Sequence, residues 1–281
     1  MSILTAIVLG LIQGLSEFIP ISSTAHLTLA GRAFGLINPA SPEEWTAFIA
    51  VIQLGTLVAV LLYFRRDLVS ITRAFVGENL KRVPVASQSV ESRTGWYIIA
   101  GTLPIVVIGL ALKGWIEGMF TKNLVVIGSS LVGLALILWL AERAAKFTRS
   151  IEGVRLKDAI IIGLAQALAI VPGVSRSGST ITAGLFRGFT REAAARFSFL
   201  LSIPAVGASG ILELVHALKQ HMSFGVAPLV VATVVSAISG YAAIAFLLRY
   251  LRTHSTGLFI SYRIILGGGI LLAIALGRLA P

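Results

Sequence analysis

Long apolar segments separated by short polar ones dominate the chain. About 20 apolar residues cross the ~30 Å hydrocarbon core of a bilayer as one α-helix. Six segments approach or exceed this length and predict spanning helices: Trp45–Phe64, Gly95–Leu112, Leu124–Ala141, Ala193–Val215, Val226–Leu248 and Phe259–Leu276. The pattern therefore predicts an all-α polytopic membrane protein.

Two further apolar stretches are interrupted by a turn that contains proline and serine. One covers Ser2–Phe18 and resumes as a short segment that ends at Phe34, and the other covers Asp158–Val171 and resumes up to Phe186. Each indicates two half-length helices, which are poor spans because the polar turn would lie in hydrocarbon. We expect two re-entrant helical hairpins, since such turns are tolerated where protein or a wet cavity surrounds them.

The two hairpins resemble each other and divide the chain into similar halves. Gly10–Gln13 aligns with Gly163–Gln166, and a Pro/Ser turn follows each of them. Three predicted spans come after each hairpin, so the second half begins on the opposite side of the membrane and is inverted. We predict a single integral membrane domain over 1–281, built from two inverted-topology repeats, 1–142 and 155–281, with a site near the midplane.

The composition excludes a soluble protein. Of the 281 residues, 56% are apolar and 12% are charged, about half the ~25% charged residues usual in soluble domains. A soluble chain this poor in charge could not cover its surface. The absence of cysteine excludes a disulfide framework, a thiol nucleophile and a thiolate metal site, and only 4 histidines argue against a His-rich metal cage.

The formal net charge of +11 is a topology signal in this context rather than a sign of nucleic-acid binding. With the first hairpin opening outward, 16 Lys and Arg residues fall on one side and 5 on the other. The larger set is Arg65, Arg66, Arg73, Lys81, Arg82, Arg93, Arg143, Lys146, Arg149, Arg155, Lys157, Arg187, Arg191, Arg196, Arg249 and Arg252, and the smaller is Arg32, Lys113, Lys122, Lys219 and Arg278. The positive-inside rule makes the larger side cytoplasmic, so both termini face outward.

Gln13 and Glu17 are polar residues inside the first apolar segment. They are four residues apart and share one helix face. A carboxyl group at this depth costs about 2.5–3.5 kcal/mol on insertion scales, so Glu17 needs a compensating role. Three roles stay open: a protonated group bonded to a neighbouring helix, a carboxylate that couples to protons or ions, or a ligand of Mg²⁺ or Ca²⁺.

A run of hydroxyl side chains, Ser22, Ser23 and Thr24, opens the second half-helix of the first hairpin. One hydroxyl suffices for an N-cap, and three exceed that need, which indicates a binding role as well. Ser23 and His26 are three residues apart on one face, so they are candidates for a nucleophile and its base. A histidine that only satisfies another polar group is the open alternative.

The second hairpin carries Ser175, Arg176, Ser177 and Thr180 at its turn. Arg176 lies too deep to reach the membrane surface, so it needs a carboxylate or phosphate partner. The hydroxyls and the free amides of a new helix N-terminus form a site suited to an anion. A structural ion pair between Arg176 and Glu17 is the alternative, and it is compatible with a binding role.

The turns of the two hairpins, called the tips from here on, together suit a phosphate ester or pyrophosphate whose apolar tail stays in the bilayer. Phosphoryl transfer mainly needs positioning and charge neutralisation. Arg176, the helix termini and a metal would supply both, and Ser23 or His26 would attack or transfer a proton.

Two weaker features are interpreted as structural. Tyr262-Arg263 is interpreted as an interfacial anchor at the start of the last span. Glu213, His216 and His221 are interpreted as a solvated helix end rather than a metal site.

These motifs resemble those of the membrane undecaprenyl-diphosphatases of the bacitracin-resistance type. The family pattern of an acid or amide, three residues and Glu is met by Gln13 and Glu17. Its Pro-Gly-x-Ser-Arg-Ser-x-x-Thr pattern is met by Pro172–Thr180, and its Ser-Ser-Thr-x-His turn by Ser22–His26. The resemblance covers essentially the whole chain. Gln13 departs from the Glu of many relatives, which would leave a metal with one fewer charged ligand.

The resemblance implies hydrolysis of undecaprenyl pyrophosphate to the monophosphate, with a divalent cation, Mg²⁺ or Ca²⁺, held by Gln13 and Glu17. It implies a bacterial plasma (inner) membrane location with the site open to the extracytoplasmic side, recycling of the lipid carrier for peptidoglycan, and bacitracin resistance on overexpression. The nucleophile stays open between Ser23, His26 and metal-bound water. A secondary transporter or flippase of a polyprenyl phosphate lipid is the alternative function. Whether the chain forms a homodimer stays open.

Overall fold

The structure is a computed structural model that describes residues 1–220 and 224–281, with the side chains of residues 216–220 outside the description. Its helices are α1 Ile3–Phe18, α2 Ser23–Ala33, α3 Pro42–Tyr63, α4 Arg65–Leu80, α5 Val90–Ala111, α6 Lys113–Glu117, α7 Leu124–Ala144, α8 Leu156–Ala167, α9 Arg176–Phe186, α10 Arg191–Gln220, α11 Val226–Leu251 and α12 Gly257–Ala275. His216 and His221, part of the predicted solvated helix end, lie outside the described side chains.

Six of these helices, α3, α5, α7, α10, α11 and α12, are long and apolar enough to cross a membrane. They are the six predicted spans, so the all-α polytopic fold is confirmed. Two helix ends differ from the prediction by five residues: α10 ends at Gln220 instead of Val215, and α5 begins at Val90 instead of Gly95. Its first turns carry polar side chains that a hydropathy search leaves out, and the Ser89 hydroxyl caps them by accepting from the Ser92 amide.

Two pairs of shorter helices, α1–α2 and α8–α9, occupy the predicted hairpin segments. The second helix of each pair is capped by a serine with positive φ, Ser22 at 76° and Ser175 at 70°. Positive φ at a residue other than glycine is strained, and such residues concentrate at functional sites. The depth of both tips in a membrane and the inverted relation of the repeats stay predictions.

Helix packing is exchanged between the two halves of the chain. α1 packs against α11 and α8 packs against α5, so the first helix of each half contacts the middle span of the other. Glycines permit both contacts. A Cβ added at Gly14 would lie 2.6 Å from the Ser236 carbonyl oxygen, and one at Gly163 would lie 2.2 Å from that of Gly101. The interlocked halves bring the α1–α2 and α8–α9 tips into contact.

One helix lies in a segment that was expected to be a loop, residues 64–94. α4 has no buried residue and packs along α5. Val69, Val76 and Leu80 of α4 are exposed, and its apolar residues are interspersed with charges. A search for long apolar segments does not find such a helix, because its apolar positions are not contiguous.

Candidate active site

The two tips meet at Glu17, near the end of α1. Arg176, the first residue of α9, donates from Nη2 to the Glu17 Oε1 at 2.7 Å. The Ser177 hydroxyl donates to the backbone carbonyls of Glu17 and Ile19, both at 3.3 Å. The predicted proximity of Glu17 and Arg176 is therefore observed, and the α8–α9 tip is fixed to the end of α1.

Three donors converge on the buried Glu17 carboxylate. Besides Arg176, Gln13 donates from Nε2 to Oε2 at 2.9 Å, and the Ser23 hydroxyl donates to the same oxygen at 2.7 Å. Ser23 and Arg176 are each the first residue of their helix, so the two tips contribute equivalent positions to one carboxylate. Hydrogen bonds and a charge partner are what a buried carboxylate requires.

The serine caps leave helix amides available at both tips. Ser22 and Ser175 accept from the third amide of α2 and α9, at 3.3 Å and 3.1 Å. The first two amides of each helix have no intrahelical acceptor, and the positive ends of both helix dipoles lie there. Ser22 and Ser175, predicted to bind substrate, thus serve as caps, and the amides beside them are the donors suited to an anion.

A cavity of about 400 Å³ lies beside the tips. Predicted site residues line one end of it: Glu17, Ser22, Ser23, Thr24, Ser175 and Arg176. Apolar side chains of α5 and α10, such as Ile105 and Val206, form part of its wall. The Arg176 Nη1 atom is buried and has no hydrogen-bond partner within the described residues. The cavity therefore combines an anion-binding end with an apolar wall.

The other end of the cavity carries lysines. Lys122 is buried and donates to the Glu117 and Gly118 carbonyls at 2.8 Å and 2.9 Å, and also to the Thr46 hydroxyl. Burial lowers the pKa of Lys122 to about 8. Lys113 pairs with the Glu117 carboxylate at 3.4 Å. The sequence had indicated Lys122 only as a topology charge, and its position beside the cavity depends on the fold.

His26 is hydrogen-bonded away from Ser23. Its Nδ1 lies 2.7 Å from the Ser22 carbonyl oxygen and its Nε2 lies 2.6 Å from the Tyr262 hydroxyl, with the two rings stacked at 5.6 Å between centroids. His26 is also not among the residues that line the cavity. The predicted Ser23–His26 pair is therefore not formed, because both imidazole nitrogens are engaged elsewhere and Glu17 holds the Ser23 hydroxyl.

Ser177 and Thr180 were also predicted to bind substrate, and the structure places both away from the cavity. The Thr180 hydroxyl donates to the Arg176 carbonyl at 2.8 Å and lies 2.6 Å from the Ser198 hydroxyl. The Ser177 hydroxyl donates to backbone carbonyls of the first tip. Both side chains are almost fully buried because they face the neighbouring helices, and they hold α9 in place.

The interpretation of Arg263 as an interfacial anchor is wrong. Its side chain is 0% exposed, and its guanidinium donates to the carbonyls of Pro20 at 3.2 Å, Gly173 at 2.9 Å and Leu131 at 3.2 Å. These carbonyls belong to the first tip, the second tip and α7. The sequence carried no signal for this role, because an arginine five residues into a span is equally compatible with a side chain that reaches the membrane surface.

The protein oxygens near Glu17 are too few to hold a hard cation without further oxygens from a bound substrate. The Gln13 Oε1 is buried and lacks a partner among the described residues, and amide and carboxylate oxygens suit Mg²⁺ or Ca²⁺. No group of three or more His, Cys, Asp or Glu side chains that could hold a metal occurs in the described part of the chain. A cation here would therefore also need oxygens from a bound phosphate group.

These features define a polytopic helical membrane protein in which two helix-pair tips form a carboxylate–guanidinium site beside a cavity. The family described as "Bacitracin resistance protein BacA" matches residues 6–269, and the chain belongs to this family. The resemblance that the sequence motifs indicated is thereby confirmed.

Similar proteins from several bacteria carry the name undecaprenyl-diphosphatase. The one from Syntrophobacter fumaroxidans is 55% identical over 272 residues, which cover 96% of this chain and 97% of that protein. The one from Chloroherpeton thalassium is 52% identical over 288 residues, covering 99% of each. The one from Myxococcus xanthus is 50% identical over 281 residues, covering 100% of this chain and 92% of that protein.

Proposed function

We propose that this protein hydrolyses undecaprenyl pyrophosphate to undecaprenyl phosphate and inorganic phosphate. The observation that carries the proposal is the convergence of Ser23 and Arg176 on Glu17 at the end of a cavity. A hydroxyl nucleophile, a proton acceptor and an anion-binding guanidinium are the parts that phosphoryl transfer through a covalent intermediate needs. The names of the similar proteins supply the substrate class.

The diphosphate would bind at the end of the cavity where the tips meet. Arg176 uses Nη2 for Glu17, and its Nη1 has no partner among the residues that the structure describes, so its guanidinium has further capacity for a phosphate oxygen. The first amides of α2 and α9 add neutral donors directed at the same place. The isoprenoid tail would leave along the apolar wall that α5 and α10 contribute.

Ser23 would attack the terminal phosphorus, and its proton would pass to the Glu17 carboxylate 2.7 Å away. The bond from that phosphorus to the bridging oxygen breaks, Glu17 returns the proton to the departing undecaprenyl phosphate, and the phosphoryl group stays on Ser23. Water then attacks the phosphorus of the phosphoserine and gives a proton to Glu17. The bond from phosphorus to the Ser23 oxygen breaks, inorganic phosphate leaves, and Glu17 returns the proton to the Ser23 oxygen.

The remaining site residues would support this reaction. Gln13 and Glu17 would hold a divalent cation jointly with the diphosphate, and the cation, when bound, neutralises phosphate charge. Thr24 lines the cavity and would donate to a phosphate oxygen. His26 would fix the strained Ser22 backbone through the Ser22 carbonyl rather than attack.

We further infer a bacterial plasma (inner) membrane location with the cavity open to the extracytoplasmic side. The six apolar helices and the family support a multi-pass membrane protein. The division of Lys and Arg residues into 16 and 5 supports the orientation. A homodimer stays a prediction.

Release of inorganic phosphate from undecaprenyl pyrophosphate by detergent-purified protein tests the proposal without any membrane gradient. We expect turnover by the native chain and its loss in Ser23→Ala. Ser209→Ala is the matched control. Ser209 also lines the cavity, and within the described part of the chain its hydroxyl bonds to Val206 of its own helix alone. Binding of the lipid without phosphate release would contradict hydrolysis and would favour a transporter or flippase.

A further inference from the structure

A second cavity, of about 490 Å³, lies at the opposite end of α5 from the candidate active site. The first cavity contacts α5 near Ile105 and Leu110, whereas the second contacts it at Arg93 and Tyr97. The rest of the lining comes from the loop over residues 148–155, which leads into α8. We call this cavity the arginine pocket, because its lining contains three arginines: Arg93, Arg149 and Arg155.

The guanidinium of Arg149 is used in hydrogen bonds that hold the loop over residues 148–155. It donates to both carboxylate oxygens of Asp158 and to the carbonyls of Gly153 and Arg187, and its guanidinium lies 4.2 Å from the Phe189 ring centroid. Asp158 is fully buried and also accepts from Arg187 at 2.7 Å. One carboxylate thus faces two guanidinium groups, which leaves a net positive charge behind the pocket wall.

Arg93 and Arg155 lack, among the described side chains, the carboxylate partner that Arg149 has. Within residues 1–220 and 224–281, neither has a carboxylate within ion-pair distance. Glu152 is the acidic residue of the lining. With Arg149 paired to Asp158, two positive charges, on Arg93 and Arg155, face one negative charge. Thr148 adds a hydroxyl donor, whereas the Ser150 hydroxyl donates to the Glu152 carboxylate. The pocket has the charge and the donors for a phosphate group.

Exposed apolar residues lie close in sequence to the arginines of the arginine pocket. Leu156, directly after Arg155, is 50% exposed, and Ile160, one turn further along α8, is 41% exposed. Trp96, three residues after Arg93 on α5, is 37% exposed, and tryptophan is enriched where spans meet the membrane surface. A phosphate bound here would lie at headgroup level with acyl chains beside it.

We propose that the arginine pocket binds the phosphate of an anionic phospholipid, with Arg93 and Arg155 as its ligands. Arg93 and Arg155, which have no carboxylate partner among the described residues, supply the charge. The exposed Leu156, Ile160 and Trp96 nearby favour a lipid over a free phosphate ion, which would gain nothing from apolar contacts. Basic pockets at the ends of spans recognise anionic headgroups in this way. The proposal does not depend on the hydrolytic reaction, because the pocket shares no residue with the first cavity.

The test is native mass spectrometry of the full chain in detergent, with phosphatidylglycerol and phosphatidylcholine of equal chain length as probes. We expect the native chain to retain phosphatidylglycerol preferentially. The double variant Arg93→Gln, Arg155→Gln should bind it about 30-fold more weakly, from roughly 5-fold per arginine near a membrane surface. The matched control is Arg65→Gln, Arg66→Gln, which removes the same charge from exposed arginines of α4.

Three results would overturn the proposal. Equal weakening in both double variants would show a general effect of positive surface charge. Equal retention of both lipids by the native chain would show no anionic preference. Displacement of bound phosphatidylglycerol by an equal concentration of inorganic phosphate would assign the pocket to a soluble anion. Size-exclusion chromatography and the helical circular dichroism signal establish that each variant is folded.

Discussion

Glu17 is the residue on which the chemistry of the site depends, because it contacts both tips at once. Its two carboxylate oxygens accept from Gln13, Ser23 and Arg176, and each donor comes from a different helix. A substrate phosphate would bind the Arg176 Nη1 atom while Nη2 stays on the carboxylate, and the Ser23 hydroxyl would stay oriented by Glu17. The same contacts that satisfy a buried charge therefore also prepare the nucleophile.

Replacing Ser23 and His26 separately distinguishes the two side chains that could attack. Ser23→Ala should lose nearly all turnover. His26→Ala should keep measurable turnover, because it removes two hydrogen bonds worth about 0.5–1.5 kcal/mol each, or roughly 5- to 150-fold together. Rapid-quench labelling with ³²P-labelled substrate should trap an acid-stable phosphoserine. An acid-labile, base-stable adduct would assign the attack to His26, and no adduct would favour metal-bound water.

Arg176→Lys tests whether the planar guanidinium is required. Lysine keeps the charge but cannot hold a carboxylate and a phosphate at once with fixed geometry. Loss of one partner of a buried charge pair typically costs about 2–5 kcal/mol, so kcat/KM should fall roughly 30- to 4,000-fold. Steady-state phosphate release measures this. Near-normal kcat/KM in the lysine variant would reduce Arg176 to a counter-charge for Glu17.

At the scale of elements, Arg263 joins three parts of the chain that are far apart in sequence. It donates to carbonyls of both tips and of α7. Because the carbonyls at a broken helix lack intrahelical donors, the guanidinium replaces the missing hydrogen bonds. The tips can therefore hold strained serine caps without leaving their backbone unsatisfied.

Arg263→Gln should lower both the melting temperature and kcat. Glutamine reaches fewer of the carbonyls, and each buried acceptor left without a donor costs about 1–3 kcal/mol. Arg252→Gln is the control, since Arg252 is exposed and pairs with Glu192 at 2.8 Å. Thermal unfolding in detergent and phosphate release provide the two measurements. A lower melting temperature with unchanged kcat would show that Arg263 stabilises the fold without positioning the tips.

The contact between α8 and α5 depends on the absence of a side chain at Gly163. An added Cβ would lie 2.2 Å from the Gly101 carbonyl oxygen and 2.7 Å from its Cα, and backbone atoms cannot move aside cheaply. Gly163→Ala should destabilise the protein by about 1–3 kcal/mol. Gly133→Ala in α7 meets no atom within 4 Å and should be neutral or slightly stabilising. Equal melting temperatures for the two variants would contradict this packing.

For the whole molecule, the predicted orientation can be measured on a chain that has no cysteine of its own. Ala40→Cys, in the loop between α2 and α3, should react with a membrane-impermeant maleimide in intact spheroplasts. Ser150→Cys, in the loop before α8, should react only after permeabilisation. Both positions lie outside the helices, so the thiol is accessible once its side is exposed. Reversed labelling would place the candidate active site on the cytoplasmic side.

Much of the fold could be predicted from the sequence because hydropathy records a local requirement. A helix that crosses hydrocarbon must be apolar along its whole length, so the six spans were found with ends close to those observed. The residues around Glu17 and Arg176 were found for the same reason, since a charge within an apolar segment is costly and marks a special position. α4 was not found because its apolar positions alternate with charges.

The sequence by itself determined the element types, the two broken helix pairs and the polar residues at their tips. Only the tertiary structure decided which donors those residues meet: Ser23 contacts Glu17, whereas His26 contacts Tyr262 on α12. Spacing along one helix restricts which side chains share a face, but a neighbouring helix can supply a better partner from a distant part of the chain. Arg263 shows the same principle, because its partners are backbone carbonyls. Every residue has one, so the sequence does not show which carbonyls an arginine will meet.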